Sequence, residues 1–357
     1  MTLTAGYDIG GAHLKVALLR DGVLVHVEQI PCPLWRGIAE LDTALAHALR
    51  ITHSAQRHAI TMTGELADVF PDRYTGVAMI VERAVAALGP DALIWMGQRG
   101  FGSPAQAMAH DTETASANFL ATATLAAHLI TDGLLIDMGS TTTDLIALRS
   151  GRPCPVGLTD ADRLRTGELV YTGLTRTPVM AITTRARFQG KLQGLARDLF
   201  ATMADVRRVL GDLPDGVDQH ATCDGRGKSV PESRARLARC FGRDAQPGED
   251  DDWRAAARDI AAIQLASIRD GIDAILPNPA RIISAGIGAD LIASLAAVRA
   301  IPHTTFADLI KAPALWRDWA TRCAPAVSVA HLAANATSSV PASSPTDTQS
   351  PHTQSPE

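Results

Sequence analysis

Residues 7–22 read YDIGGAHLKVALLRDG, and residues 136–151 read IDMGSTTTDLIALRSG. Both stretches contain an apolar run, an Asp-x-Gly turn, a second apolar run and a closing turn with glycine, which is Asp21-Gly22 in one copy and Ser150-Gly151 in the other. Gly-containing turns between apolar runs are typical of β-hairpins. The chain therefore contains an internal repeat, and each copy predicts a hairpin that opens one half of the fold.

The segments after each repeat alternate between predicted strands and helices. Short apolar runs predict strands at residues 59–62, 93–96 and 281–284. Helical periodicity predicts helices at residues 38–51, 72–88, 113–130, 190–210, 233–241, 253–275 and 289–298. Such alternation predicts a mixed sheet covered by helices in each half. The duplicated pattern resembles the two-lobed α/β fold of actin, sugar kinases and Hsp70 (ribonuclease H-like), which implies a site in the central cleft.

Composition and repeat together predict the domain organisation. With 357 residues, 46% of them hydrophobic, the chain has enough apolar material for two lobes. We expect an N-terminal lobe with the first motif at residues 1–131, and a C-terminal lobe with the second motif and a helical insertion at residues 132–333. Residues 334–357 are rich in Ser, Thr, Gln and Pro. This composition predicts a disordered tail, because it offers almost nothing to bury.

Charge and cysteine content narrow the classes of partner. The formal net charge of −5 gives no basic surface for nucleic acid or an anionic membrane, which favours small-molecule partners. An odd number of dispersed cysteines and an N-terminus without a signal-peptide pattern predict a cytoplasmic protein with reduced thiols. A homo-oligomer remains open at this stage. The five cysteines are Cys32, Cys154, Cys223, Cys240 and Cys323.

The Asp-x-Gly turns have a specific chemical use. A glycine lets a phosphate approach backbone N–H groups, and an aspartate holds the divalent cation that neutralises the phosphate. A single Asp-x-Gly is usually only a turn. Two copies in matching strand contexts favour a shared phosphate site, with Asp8 and Asp137 as ligands of Mg²⁺.

Two further features lie beside these turns. Ser140 and Thr141 begin a hydroxyl-rich run suited to phosphate oxygens, although a β-branched strand start with satisfied hydroxyls is the alternative. Lys15, one of only four lysines, follows the first turn. It predicts an ammonium group near the phosphates, and the alternative is a solvated strand residue.

These motifs resemble those of a known family. Residues 137–144 resemble the phosphate motif of the hydantoinase/oxoprolinase group, and residues 8–15 look like its N-terminal counterpart. The fuller resemblance, over roughly residues 4–330, is to tetrahydromethanopterin-linked one-carbon pathway proteins within that group, similar to the archaeal ether-forming synthase of methanofuran biosynthesis. Further matching segments are residues 62–68, 116–122, 167–173, 201–206, 224–226 and 233–239.

The resemblance implies a transferase of methanofuran-type (methanofuran or methylofuran) cofactor synthesis. It would join an aminomethylfuran-methyl diphosphate to the phenol of a glutamylated tyramine or tyrosine and release pyrophosphate. Magnesium would bind Asp8 and Asp137, and Lys15 would stabilise the leaving group. The phosphate cradle would comprise Gly10, Gly11, Gly139, Ser140 and Thr141. The general base remains open among Glu65, Asp144 and Glu168.

Other interpretations remain open from sequence alone. Gly286 and Gly288 lie where superfamily members bind the adenosine side of a nucleotide, but their separation leaves ATP binding uncertain. The alternatives are an ATP-dependent kinase or amidohydrolase on the same fold, and a non-catalytic nucleotide-binding actin relative. His220-x-x-Cys223 has no second pair, so a loop coincidence is favoured over a metal site.

Overall fold

The computed structural model describes residues 1–336, and its first half forms one six-stranded sheet in the order β3-β2-β1-β4-β5-β6. The strands are β1 (Leu3–Ile9), β2 (His13–Arg20), β3 (Val23–Pro31), β4 (Arg57–Met62), β5 (Leu93–Trp95) and β6 (Phe101–Gly102). The helices are α1 (Ala39–Thr52), α2 (Arg73–Leu88), α3 (Pro104–Ala109), α4 (Asp111–Thr114) and α5 (Asn118–Leu129).

The second half forms another six-stranded sheet, in which β10-β8-β7-β13-β14 is the main order and β9 pairs with β8. A separate hairpin, β11-β12, belongs to the insertion. The strands are β7 (Gly133–Met138), β8 (Thr143–Arg149), β9 (Arg152–Pro153), β10 (Leu169–Val170), β11 (Arg185–Phe188), β12 (Lys191–Gly194), β13 (Ile282–Ala285) and β14 (His303–Thr305). The helices are α6 (Asp160–Thr166), α7 (Val179–Ile182), α8 (Met203–Leu210), α9 (Val230–Cys240), α10 (Asp250–Ile275), α11 (Ala289–Val298), α12 (Phe306–Leu309), α13 (Arg317–Arg322) and α14 (Ala324–Asn335).

The two sheets repeat one topology. In each, an antiparallel hairpin (β1-β2 or β7-β8) is extended by a parallel strand (β4 or β13) on its other side, and a second parallel strand follows (β5 or β14). The closing turns are also alike, because Asp21 and Gly22 have φ of 49° and 79°, and Ser150 and Gly151 have 51° and 71°. Positive φ at both central positions characterises a tight hairpin turn. The predicted two-lobed, duplicated α/β fold is confirmed.

Each lobe packs its last long helix against the sheet of the other lobe. Helix α5 packs on β7, β8 and β9, and helix α14 packs on β1, β2 and β4. One apolar core therefore contains residues of both sheets and of both helices. The Arg57 guanidinium in β4 also donates to carbonyl oxygens at the C-terminal end of α14, including that of Ala333. This exchange makes the lobes one folding unit along their shared face.

Helix ends follow the local sequence. The Asp72 carboxylate accepts the backbone N–H of Thr75 and begins α2. Thr202 and Asp205 form a reciprocal capping box at the start of α8, and Gly211 ends that helix in the left-handed conformation.

Two predicted helices are wrong in extent. Residues 190–210 contain β12, an irregular stretch and only then α8, because Gln189 and Gly190 both adopt positive φ and turn the chain into the β11-β12 hairpin. Residues 113–130 contain the end of α4 and the separate α5, because Ser116 has a φ of 51° that no helix accommodates.

Other expectations concern the chain as a whole. None of the helices within residues 1–336 is both long and apolar enough to cross a membrane. All five cysteines carry free thiols. Helix α14 continues to Asn335, into the segment predicted as tail, and residues 337–357 of that segment lie outside the described residues.

The contact between β1 and α14 gives a stability prediction. A Cβ added at Gly6 would lie 2.1 Å from the Ala326 carbonyl oxygen and 2.8 Å from the Ala330 Cβ. We expect Gly6→Ala to lower the free energy of unfolding by about 1–3 kcal/mol, because the helix must move away from the sheet. The matched control is Gly194→Ala, whose Cβ meets nothing within 4 Å. Urea denaturation of both variants tests this, and equal stabilities would contradict the close packing.

Candidate functional site

The two Asp-x-Gly turns meet at a cleft between the lobes. The cleft is a cavity of about 540 Å³, and its lining includes both aspartates. Of the other predicted site residues, Gly286, Gly288 and the candidate bases Glu65 and Glu168 are not in the lining; the lining members are Lys15, Asp144, Gly10, Gly11, Gly139, Ser140 and Thr141. The repeat alone thus indicated most of the cavity floor.

The Lys15 ammonium interacts with the aspartates of both turns, with Asp8 through a hydrogen bond and with Asp137 through charge alone. Its Nζ donates to Asp8 Oδ2 at 3.1 Å. Burial lowers the pKa of Lys15, but the charges of Asp8 and Asp137 outweigh burial and raise this pKa above its ordinary value. Burial raises the pKa of Asp137 to about 7, with Lys15 opposing and Asp144 and Asp8 adding to the rise. The positive charge on the floor is therefore not enough to keep the pKa of Asp137 at its ordinary value.

The equivalent positions of the two hairpins differ in charge. Asp8 pairs with Lys15 across β1 and β2, and Asp137 pairs with Asp144 across β7 and β8. The repeat therefore places a lysine and an aspartate at matching sites. Arg163, which the sequence did not single out, donates to Asp144 Oδ1 at 2.6 Å and lies 3.6 Å from the centre of the Phe119 ring. Burial raises the pKa of Asp144 above its ordinary value, with Arg163 opposing the rise, and the ion pair occupies one of its two carboxylate oxygens.

The turns use their glycines internally. Gly10 N–H donates to the His13 carbonyl and Gly139 N–H donates to the Thr142 carbonyl, both at 2.9 Å. These amides are engaged within the turns, so phosphate contacts from the backbone would fall to the residues that follow, such as Gly11 and Ser140. The Ser140 and Thr141 hydroxyl oxygens lie 3.4 Å apart at the cavity wall.

Gly286 and Gly288 support this floor from behind. A Cβ at Gly286 would lie 2.4 Å from Asp137 Oδ1, and a Cβ at Gly288 would lie 2.4 Å from the Met138 sulfur. Gly286 also has a positive φ of 78°. These glycines let the segment after β13 lie directly against the end of β7. Their predicted part in nucleotide binding stays a prediction.

The floor has donors that suit a magnesium ion. Asp8 Oδ1 is buried and has no hydrogen-bond partner among the described residues. Within residues 1–336, no group of three or more His, Cys, Asp or Glu side chains is arranged to hold a metal. Mg²⁺ commonly takes only one or two carboxylates and completes its shell with water and substrate phosphates. Asp8 and Asp137 fit that pattern.

Residues 56–305 match the hydantoinase/oxoprolinase family profile. The chain belongs to the hydantoinase/oxoprolinase family. It is 30% identical over 290 residues to (4-{4-[2-(gamma-L-glutamylamino)ethyl]phenoxymethyl}furan-2-yl)methanamine synthase of Methanocaldococcus jannaschii, covering 80% of this chain and 86% of that relative. It is 31% identical over 106 residues to the synthase of the same name from Methanococcus vannielii, covering 30% of this chain and 47% of that relative. The synthase relatives and the family indicate an enzyme.

Solved structures agree on the fold. Nucleotide-free acetone carboxylase superposes with a TM-score of 0.50 at 11% identity, covering 81% of this chain and 66% of that chain. At this identity the likeness concerns the fold alone, and it agrees with the repeated sheet topology.

The three candidate bases have different surroundings in this family member. Asp144 is ion-paired, and Glu168 lies outside the cavity lining, where it accepts the N–H groups of Val156 and Gly157 at 2.6 and 2.7 Å. Glu168 thus has a structural role in holding that loop. Glu65 is buried behind Ser116, which lines the cavity.

Ser116 connects Glu65 to a second carboxylate that the sequence did not single out. Its Oγ lies 2.6 Å from Glu65 Oε1 and 3.1 Å from Asp160 Oδ2. A hydroxyl has one proton and can donate to only one carboxylate. Asp160 is also bound by Arg73 at 2.6 Å and is the first residue of α6. Ser116 can donate to Glu65 or to Asp160 but not to both at once, and burial raises the pKa of Glu65, which favours its neutral form.

The raised pKa of Glu65 predicts a pH dependence of stability. Burial raises the pKa of Glu65 above its ordinary value of 4.5, with Ser116 and Arg73 opposing and Asp160 adding to the rise. Between 4.5 and the raised pKa, the folded protein binds the proton more tightly than the unfolded chain does. The stabilising contribution of neutral Glu65 is therefore present below 4.5 and is lost as pH rises through the raised pKa.

Glu65→Gln removes this titration and keeps a donor for Ser116. We expect wild type to lose stability relative to Glu65→Gln as pH rises from about 4.5 through the raised pKa. Urea denaturation of both proteins across that range measures the difference. Glu65→Ala serves as the control that loses the hydrogen bond at every pH. A wild-type-to-Gln difference that stays constant with pH would contradict a protonated Glu65.

Proposed function

We propose that this protein is a pyrophosphate-releasing transferase of methanofuran-type cofactor synthesis in the tetrahydromethanopterin-linked one-carbon pathway. It joins an aminomethylfuran-methyl diphosphate to the phenol of a glutamylated tyramine or tyrosine. The name of the M. jannaschii relative supports this, since its product contains a phenoxymethyl group on a furan. The observation that carries the proposal is that the aspartates of both repeated hairpins line one cavity, where Lys15 bonds Asp8 and is influenced by the charge of Asp137.

The reaction balances as a substitution at the furylmethyl carbon. The phenol oxygen forms a bond to that carbon, the bond from carbon to the diphosphate oxygen breaks, and its electron pair leaves with pyrophosphate. The phenol proton passes to a base or to water. Lys15 and the hydroxyls of Ser140 and Thr141 hold the leaving group.

Magnesium is proposed as the partner of Asp8 and Asp137. When bound, it would neutralise the charge that develops on the diphosphate. Two residues that follow from the structure add to the site. Asp160 lies at the cavity wall and is ion-paired with Arg73 as Asp144 is with Arg163, so both are candidates for receiving the phenol proton. Ser116 lies beside Asp160 and also bonds Glu65.

An ATP-dependent reaction on the same cleft is the alternative, as a kinase or an amidohydrolase. The family match over residues 56–305 is the observation that supports an amidohydrolase as the alternative. ATP hydrolysis without a diphosphorylated furan would support this alternative over the transferase.

Replacing either aspartate of the floor tests the proposal. We expect Asp8→Asn and Asp137→Asn to lower turnover at least about a hundredfold, because each removes one negative charge from the metal site. The fold should survive, since Asn fits the same turn. Pyrophosphate release from the furan diphosphate with the phenolic acceptor measures turnover, and melting temperature reports the fold. Asp251→Asn, at a side chain 97% exposed, is the matched control.

Lys15→Ala should slow release less than either aspartate variant, because the metal and the backbone amides share the leaving-group charge. Near-wild-type release by folded Asp137→Asn would contradict the metal cradle for any substrate. A larger loss in Lys15→Ala than in Asp137→Asn would instead assign the leaving-group charge mainly to the ammonium.

A further inference from the structure

Of the arginines that line the cavity, Arg163 has an ion pair within residues 1–336, whereas Arg176 and Arg322 have none, and the Arg322 guanidinium donates to the Asp215 carbonyl oxygen instead. The fully buried Arg163, Arg207 and Arg236 each pair with an aspartate. Arg176 is half-buried and lines the cavity, and within residues 1–336 it has no carboxylate within ion-pair distance. Its guanidinium makes one long side-chain hydrogen bond, from Nη1 to Thr141 Oγ1 at 3.4 Å. A guanidinium has five N–H donors, so most of them face the cavity without a protein acceptor.

The position of this guanidinium is fixed by stacked rings. Its carbon lies 4.7 Å from the centre of the Trp35 ring, which meets the His220 ring edge at 5.2 Å. His220 in turn lies 4.5 Å from His13. The loop that carries His220 is held across the lobes by Gln219, which exchanges hydrogen bonds of 3.2 and 3.3 Å with Gln29. The cation is therefore held in place by contacts from both lobes.

The neighbouring histidines, His13 and His220, add no positive charge beside Arg176. Burial, with nearby His220, Lys15 and Arg176, lowers the pKa of His13 to about 2. Burial and Arg176 lower the pKa of His220 to about 4 against the opposing charge of Asp218. Both rings are neutral near pH 7. Asp218 is itself paired with Arg208 and Lys228, so this wall of the cavity is positive because of Arg176.

We propose that Arg176, stacked on Trp35, is an anion subsite for the diphosphate end of an aromatic substrate. This rests on the proposed function and names a residue beyond it. The bond to Thr141 places the guanidinium next to the second phosphate turn, which favours a phosphoryl group over the carboxylate of the acceptor. Trp35 and Tyr171 keep 39% and 64% of their surface exposed at the same cavity, and these rings suit the flat ring of the substrate.

The test measures binding of inorganic pyrophosphate to the full-length protein by calorimetry in magnesium-containing buffer. Arg176→Ala should weaken binding at least about tenfold, because charged hydrogen bonds are lost. The pyrophosphate affinity of Arg176→Lys should lie between those of wild type and Arg176→Ala, since lysine keeps the charge without the planar fork. Arg165→Ala, at a side chain 76% exposed outside the cavity, is the matched control and should bind like wild type.

Trp35 is tested as the positioning residue. Trp35→Phe keeps a ring beneath the guanidinium and should retain most of the pyrophosphate affinity, whereas Trp35→Ala should lose affinity although Trp35 need not contact pyrophosphate. Melting temperatures verify that each variant is folded. Equal loss of affinity in the Phe and Ala variants would contradict stacking as the means of positioning.

The outcomes separate this proposal from the function. Wild-type pyrophosphate affinity in folded Arg176→Ala would overturn the subsite, and so would a variant whose only defect is a raised KM for the phenolic acceptor. Loss of pyrophosphate binding in Arg176→Ala, in a protein that forms no ether product, would support the subsite and refute the transferase.

Discussion

The attraction between one buried ammonium and two aspartates organises the site of this protein. Lys15 lies on β2 of the first lobe, bonds Asp8 directly and stabilises its own charge against Asp137 of the second lobe. Both aspartates end equivalent strands, so the duplicated topology brings them to one cavity floor. Buried carboxylates in such proximity need a cation, and the shortage that remains at Asp137 makes the floor receptive to a metal or to a charged substrate.

The duplication is symmetric in backbone and asymmetric in chemistry. Matching hairpins share their turns and register, but matching positions carry Lys15 in one lobe and Asp144 in the other. Arg163 neutralises Asp144, while Lys15 is shared between lobes. In the first hairpin Lys15 therefore serves the cleft, whereas in the second hairpin Asp144 forms an ion pair with Arg163. The helices α5 and α14, exchanged between the lobes, hold both copies against a common core.

Polar groups at the cavity wall come from segments far apart in the sequence. Ser116 precedes α5, Asp160 begins α6, and Arg176 follows β10. Ser116 adopts a positive φ, and its hydroxyl lies within hydrogen-bond distance of Glu65 and Asp160. Arg176 is stacked on Trp35 from the other lobe. The wall thus combines a cluster of two carboxylates and a hydroxyl with a cation that has no counter-charge among residues 1–336, and these groups are complementary for a reaction that releases a proton and an anion.

The sequence by itself determined the repeated hairpins, the two-lobed fold and the cavity floor, because apolar alternation and turn chemistry act locally. Both are visible within one short repeated motif. It misjudged residues 113–130 and 190–210, where positive φ at Ser116 and in the Gln189-Gly190 turn interrupts helical periodicity. Only the tertiary structure decided which candidates share the cavity. Glu168 accepts hydrogen bonds from a loop outside the cavity lining, Gly286 packs against Asp137, and Arg176 lines the cavity without a counter-charge among residues 1–336. Ion pairing and burial depend on contacts between distant segments, which no local spacing encodes.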